Sequence, residues 1–161
     1  MSERTKPSVG LPPSCLAPHA VAAWAADSPD AEAIRYLSSG DSLTARELDD
    51  AARALARRLA SLGIGPQTRV GTFVPNGRWA HLLFLALGWL RATEVPLNPA
   101  FVGNVLRHAV ATTEAEIVIA VPELASRLDE FDRPSSLRQI VLTGALDGLA
   151  PADVELEGPR Y

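Results

Sequence analysis

Between Trp79 and Leu90 the chain carries apolar residues on every side of a helical turn, and His81 is the only clearly polar side chain among them. A helix of that kind belongs inside a protein. Arg78 and Arg91 bracket the run, which leaves it far short of the roughly 20 apolar positions of a membrane span, so burial in a folded core is the expectation and no membrane partner is expected. Upstream, Val70-Gly71-Thr72-Phe73-Val74 reads as a short strand. Pro75-Asn76-Gly77 closes it with turn chemistry and places Asn76 to cap the helix. Downstream, Glu94 to Asn98 reads as a second strand stopped by Pro99. Strand, crossover helix and strand form a βαβ unit, which pairs its strands in parallel with a right-handed crossover.

Composition narrows what can surround this unit. A chain of 161 residues with 47% hydrophobic and 21% charged residues matches one globular domain of ordinary size. A net charge of −4 argues against a nucleic-acid partner, whose phosphates call for a basic excess. Lys6 is the only lysine and stands in a Pro- and Ser-containing N-terminal stretch, so a Schiff-base or phosphate-gripping lysine is excluded. Cys15 is the only cysteine and has no partner for an internal disulfide, which points to a reducing compartment. Residues 1–17 hold no apolar run of secretory type. They read as a flexible tail, and the cytoplasm is the expected location.

The remaining segments alternate strand with helix. Val21 to Ala26 reads as a short helix, and Ala33–Leu37 with Ser42-Leu43 as a hairpin. Thr44 followed by Glu47 is a capping box that opens an amphipathic helix. Its apolar face carries Leu48, Ala52, Leu55, Leu59 and Leu62, Asp49 and Arg53 form an i,i+4 pair, and Gly63 and Gly65 stop it. Val102, Val105, Leu106, Ala109 and Val110 mark one face of a further helix. Glu116–Val121 is a nearly continuous apolar strand, Leu124–Phe131 a fourth helix, and Ile140–Leu142 another strand. A continuous apolar strand is what a parallel sheet covered on both faces requires. The expected fold is α/β with a mostly parallel, doubly wound sheet over residues 18–143, followed by a C-terminal tail over 144–161.

Elementary chemistry is sparse. There is no Walker-type phosphate loop, and Gly63-Ile64-Gly65 lacks the third glycine of a dinucleotide fingerprint, since Thr68 stands there. His19, His81 and His108 have no metal-ligand spacing, and Cys15 has no evident base partner. His81 reads as a core histidine, Trp79 and Trp89 as core packing, and Arg57-Arg58 as a solvated helix face. The residues themselves nominate no catalytic group and no metal ligand.

The order of short motifs adds a resemblance. Ser42-Leu43-Thr44-Ala45-Arg46-Glu47-Leu48, then Leu62-Gly63-Ile64-Gly65 with Arg69-Val70, then Val74-Pro75-Asn76, then Val95-Pro96-Leu97-Asn98-Pro99 resemble the N-terminal part of the adenylate-forming enzymes. Within them the series is most similar to the AMP-forming acyl-CoA synthetases, including the crotonobetaine/carnitine-CoA ligase-like group. The resemblance implies a partial N-terminal subdomain of that fold, covering roughly residues 20–143. It also implies a family chemistry that uses ATP, Mg2+ and coenzyme A to convert a carboxylate to an acyl-adenylate and then to an acyl-CoA. The family's Ser/Thr/Gly-rich phosphate loop and catalytic lysine have no counterpart here, so the chain alone is expected to bind none of these cofactors. The one site carried over is Asn98, Pro99 and Ala100, which by resemblance lie near the nucleotide end of coenzyme A. The same residues also read as a plain strand end with a helix-opening turn. Arg91 stands where the family has glycine, which implies a differently built helix end, and Gln67-Thr68-Arg69 replaces Gly-Asp-Arg.

Two functional readings follow. One is the N-terminal portion of an acyl-CoA synthetase, inactive alone, with the rest of the synthetase as its partner. The other is a non-catalytic α/β interaction module that joins a split synthetase or self-associates as a homo-oligomer. An independent flavodoxin-like nucleotide-binding domain ranks behind both because no phosphate-cradling loop is present.

Overall fold

The central βαβ unit has the geometry its pattern requires. In the computed structural model, which describes residues 16–156, β3 (Arg69–Phe73) and β4 (Thr93–Pro96) pair in parallel, Val70 opposite Glu94 and Thr72 opposite Pro96. Helix α3 (Arg78–Trp89) crosses between them. On the other side of β3 follow β5 (Ile117–Ala120) and β6 (Gln139–Leu142), also parallel, in the order β4-β3-β5-β6. Ahead of this sheet lie α1 (Ala17–Asp27), the strands β1 (Glu32–Arg35) and β2 (Ser42–Thr44), and α2 (Ala45–Ser61). Helix α4 (Gly103–Thr112) joins β4 to β5, the one-turn α5 (Pro122–Ala125) follows β5, and α6 (Thr143–Leu146) follows β6.

Both faces of the sheet are covered, which is why all four residues of β5 are buried. Val70, Ile117, Ile119 and Val141 meet α2 and α3, whereas Phe73, Val118 and Ala120 meet Leu106 and Val110 of α4 and Leu124 and Leu128 beyond β5. The fold is therefore a doubly wound α/β sheet with its switch point between β3 and β5. Helix α1 docks through a close approach that only glycine permits, since a Cβ on Gly88 would lie 2.7 Å from Pro18 Cγ. Strands β1 and β2 form the expected antiparallel hairpin. The capping box is present in full, with the Thr44 hydroxyl accepting the Glu47 N–H at 3.2 Å and the Glu47 carboxylate accepting the Thr44 N–H at 2.9 Å.

Several expectations are corrected. Asn76 does not cap α3: the N-cap position is Gly77, with no side-chain hydrogen bond. His81 is not a core histidine: it is exposed, with its ring centroid 5.8 Å from that of Tyr36, and Phe84, three residues on, is 52% exposed. Val102 and Val105 are likewise exposed, since the α4 stripe that reaches the sheet is the i,i+4 pair Leu106 and Val110. The helix read over Leu124–Phe131 is one α turn followed by a 3-10 turn, Ser126–Leu128. Asp129 and Glu130 come next, and their charge opposes the negative end of a helix. Residues 144–152 pack against the rest of the chain: Leu146 is fully buried, Asp147 pairs with Arg58 at 3.1 Å, and the Ala152 N–H donates to the Arg57 carbonyl at 3.0 Å. Arg57-Arg58 is thus a tethered face and not a merely solvated one.

The end of α3 is built without glycine at position 91. Arg91 takes the left-handed conformation itself, with φ 58°. The Ala92 N–H donates to the Leu87 carbonyl at 3.0 Å and the Arg91 N–H to the Gly88 carbonyl at 3.1 Å. That pair of bonds is the Schellman motif.

Candidate functional site

Open parallel sheets bind ligands in crevices outside the carboxyl ends of their strands. At that end the chain leaves β3 through Val74–Gly77 and leaves β4 through Leu97–Val102. The second loop is tightly held. Asn98 Oδ1 accepts the Ala100 N–H at 2.9 Å, the Asn98 carbonyl accepts the Phe101 N–H at 2.9 Å, and the Leu97 N–H donates to the Thr72 carbonyl at 3.0 Å. From beyond β5, the Arg127 guanidinium donates to the Pro99 carbonyl. Asn98, Pro99 and Ala100 therefore sit together on a braced turn, with Asn98 and Ala100 exposed. The Asn98 side chain is already committed to shaping it.

Beside this turn, between α3 and the ends of β3 and β4, lies a cavity of about 560 Å3. Thr72, Asn76, His81, Phe84, Glu94 and Asn98 line it. Strand register places Glu94 and Thr72 on the α3 side of the sheet, because Val70, the partner of Glu94, packs toward the helices there. The Thr72 hydroxyl donates to Glu94 Oε1 at 2.8 Å. Burial raises the Glu94 carboxyl above its usual range, and the Thr72 hydrogen bond acts in the opposite sense. None of the ion pairs among the described residues involves Glu94.

The other residues of chemical interest are not brought to this site. His19 packs edge-on against Trp89 with ring centroids 4.9 Å apart, and the Arg53 guanidinium carbon lies 3.9 Å from the Trp89 ring centroid. Trp89 is thus core packing, as its position in the apolar run indicated. Asp49 and Arg53 form their expected pair at 2.8 Å. Lys6 and Cys15 lie outside the described residues. Among the described residues no group of three or more His, Cys, Asp or Glu is arranged to hold a metal ion, and no helix is long and apolar enough to cross a membrane. The site offers one carboxyl, one imidazole, two amides and an aromatic ring. These are groups that bind and orient, without an activated nucleophile or a phosphate cradle.

Sequence reasoning missed Glu94, Thr72 and Arg127. Glu94 carried a signal, a carboxylate inside a short strand just ahead of Val95, Pro96 and Leu97. Arg127 carried none, since nothing in the chain links it to Pro99, 28 positions away.

Comparisons with known proteins agree with this architecture. The profile of the AMP-binding enzyme family matches residues 21–158. Indigoidine synthase of Streptomyces lavendulae is 36% identical over 145 residues, which cover 89% of this chain and 11% of that protein. The N-terminal domain of FACL13 from Mycobacterium tuberculosis superposes with a TM-score of 0.73 at 22% identity, covering 85% of this chain and 37% of that one. The Klebsiella oxytoca NpsA N-terminal subdomain in complex with anthranilyl-AMSN gives 0.71 at 17%, covering 89% and 35%. These likenesses show that the parallel sheet is that of the N-terminal subdomain of adenylate-forming enzymes. The chain spans a small part of the curated relatives it matches, 1% of the FR901469 synthetase and 11% of indigoidine synthase.

Proposed function

The chain belongs to the AMP-binding enzyme family, and on that premise we propose that it is the N-terminal portion of an enzyme that activates a carboxylate with ATP and Mg2+, without adenylation activity of its own. The observation that carries the reading is the family match over residues 21–158 in a chain whose only lysine is Lys6 and which holds no phosphate loop. Residues of this chain build scaffold and one rim of a site. The groups that would grip ATP belong to the rest of the domain, which is the natural partner. The turn at Asn98, Pro99 and Ala100 faces the acyl acceptor in this proposal, with coenzyme A as the acceptor of the acyl-CoA synthetase reading. Relatives bearing the name nonribosomal peptide synthetase, such as that of Aspergillus rugulosus, support a second reading in which the acceptor is another group. The acceptor, and with it the narrower crotonobetaine/carnitine-CoA ligase-like assignment, separates the two.

The test mixes the purified chain with ATP, Mg2+, coenzyme A and a panel of carboxylic and amino acids. No pyrophosphate release is expected from the chain alone, and release above background would overturn the reading. Sedimentation separates it from the self-associating module, which requires a concentration-dependent dimer.

A further inference from the structure

We propose that the groove between α3 and β4 is a binding site for a compact organic cation, with an ammonium or guanidinium group seated on Glu94 and an apolar body lying along Phe84. The proposal stands on this chain's own residues and does not rest on the adenylation reading.

Glu94 projects toward α3 from the edge strand of the sheet, half-buried, with the Thr72 hydroxyl as its hydrogen-bonded partner at 2.8 Å. An ionised carboxylate has about four acceptor positions, so a single hydroxyl leaves most of its capacity unused. A desolvated carboxylate without a cation is costly and is ordinarily paired. Among the described residues arginines pair with carboxylates in six places, Arg69 with Glu114 and Arg138 with Glu116 among them, and none of these pairs involves Glu94. Burial holds its carboxyl above the usual range.

The surroundings select the class of ligand. A cavity of about 560 Å3 lies in the range of roughly 300–1,000 Å3 typical of small-molecule pockets and is far larger than a bare metal ion needs. One carboxyl and neutral amides are too few hard oxygen donors for Ca2+, which takes about 6–8. Asn76 adds an acceptor oxygen to the lining, and the half-exposed Phe84 ring supplies a face that attracts both cations and apolar carbon. Pro96 and Ala80 complete an apolar floor. Among the described residues Glu94 and His81 are the titratable groups that line the groove. The Glu94 carboxyl, raised by burial, must be ionised to pair with a cation, so an alkaline solution favours binding.

The probes are benzylammonium, N-acetyl-arginine amide and uncharged benzyl alcohol, titrated at alkaline pH into the chain while backbone amide and His81 ring NMR signals are followed. Saturable shifts confined to the groove are expected for at least one cation and not for benzyl alcohol. Glu94→Gln should weaken the cation by about 10- to 100-fold, the worth of a hydrogen bond to a charged group. Phe84→Ala, at an exposed position that leaves folding intact, should weaken benzylammonium more than N-acetyl-arginine amide. Preference for the arginine derivative assigns the cation to a side chain of another polypeptide, and preference for benzylammonium assigns it to a free amine. Absence of saturable shifts with both cations overturns the proposal, as does equal affinity in Glu94→Gln with its amide spectrum preserved.

Discussion

Helices α2 and α3 lie side by side on one face of the sheet and end in the same Schellman pattern, yet they reach it from opposite starting points. At the end of α2 the Ile64 N–H donates to the Leu59 carbonyl at 3.4 Å and the Gly63 N–H to the Ala60 carbonyl at 2.9 Å, with Gly63 at φ 76°. At the end of α3 the same two bonds form around Arg91 at φ 58°. Helix α2 opens with a complete capping box, whereas α3 opens at Gly77 without a side-chain cap. One helix is specified by its own residues. The other is specified by what packs on it, because Leu83, Ala86 and Leu87 are fully buried and tie its position to the sheet. The difference teaches that a local stop signal is sufficient for a helix end and not necessary. Tertiary burial holds Arg91 in a conformation that costs a non-glycine residue roughly 1–2 kcal/mol.

The largest test of that contrast uses the cores of the two helices. Leu59→Ala and Leu83→Ala, both at fully buried positions, should each destabilise by about 2–5 kcal/mol in urea unfolding. A much smaller loss at Leu83 would show that α3 is not held by packing. Next come the two helix ends, where the signs should be opposite: Arg91→Gly should raise stability by up to about 1 kcal/mol and Gly63→Ala should lower it by about the same. Equal signs would break the comparison.

The caps follow. Thr44→Ala should cost about 1 kcal/mol, while Asn76→Ala should leave thermal unfolding almost unchanged because Asn76 makes no cap.

Two carboxylates then give opposite pH responses. Hydrogen bonds from the Thr44 backbone and hydroxyl hold the Glu47 carboxyl below its usual range. Its contribution is present above the unfolded-state value and fades as pH falls through the folded one. Glu94 is raised by burial, so its contribution is complete below the unfolded-state value and is lost as pH rises through the folded one. Glu94→Gln should therefore be more stable than the parent chain at neutral pH, with the advantage vanishing on acidification. Denaturant midpoints measured across the acidic range check both signs. The smallest effect should come from Phe84→Ser, within about 0.5 kcal/mol, since the ring is already half in solvent. A large loss there would mean the outer face of α3 is covered in solution.

Much of this architecture was legible in the chain. The period of Leu48, Ala52, Leu55 and Leu59, the Thr44–Glu47 box and the unbroken apolar run of β5 each carry their structure in adjacent residues. The apolar run of α3 was legible as a buried helix but not as one with an open side. Hydropathy reports what a residue avoids, not which of its neighbours is present, so it could not separate exposed Phe84 from buried Leu83. The candidate site was legible only where a turn was written locally, at Asn98 and Pro99. Glu94, Thr72 and Arg127 acquire meaning through pairing across strands and between loops.

The sequence by itself determined the alternation of strands and helices, the parallel pairing of β3 with β4, the family of the fold and the absence of a phosphate-gripping lysine beyond Lys6, because each depends on residue type and short-range spacing. Tertiary structure alone decided that Arg91 ends α3 in the left-handed conformation, that Leu146 belongs to the core and that Glu94 faces a groove lined, among the described residues, by no arginine or lysine. Those outcomes depend on distances between residues far apart in the chain, and such distances exist only once the sheet has brought its strands together.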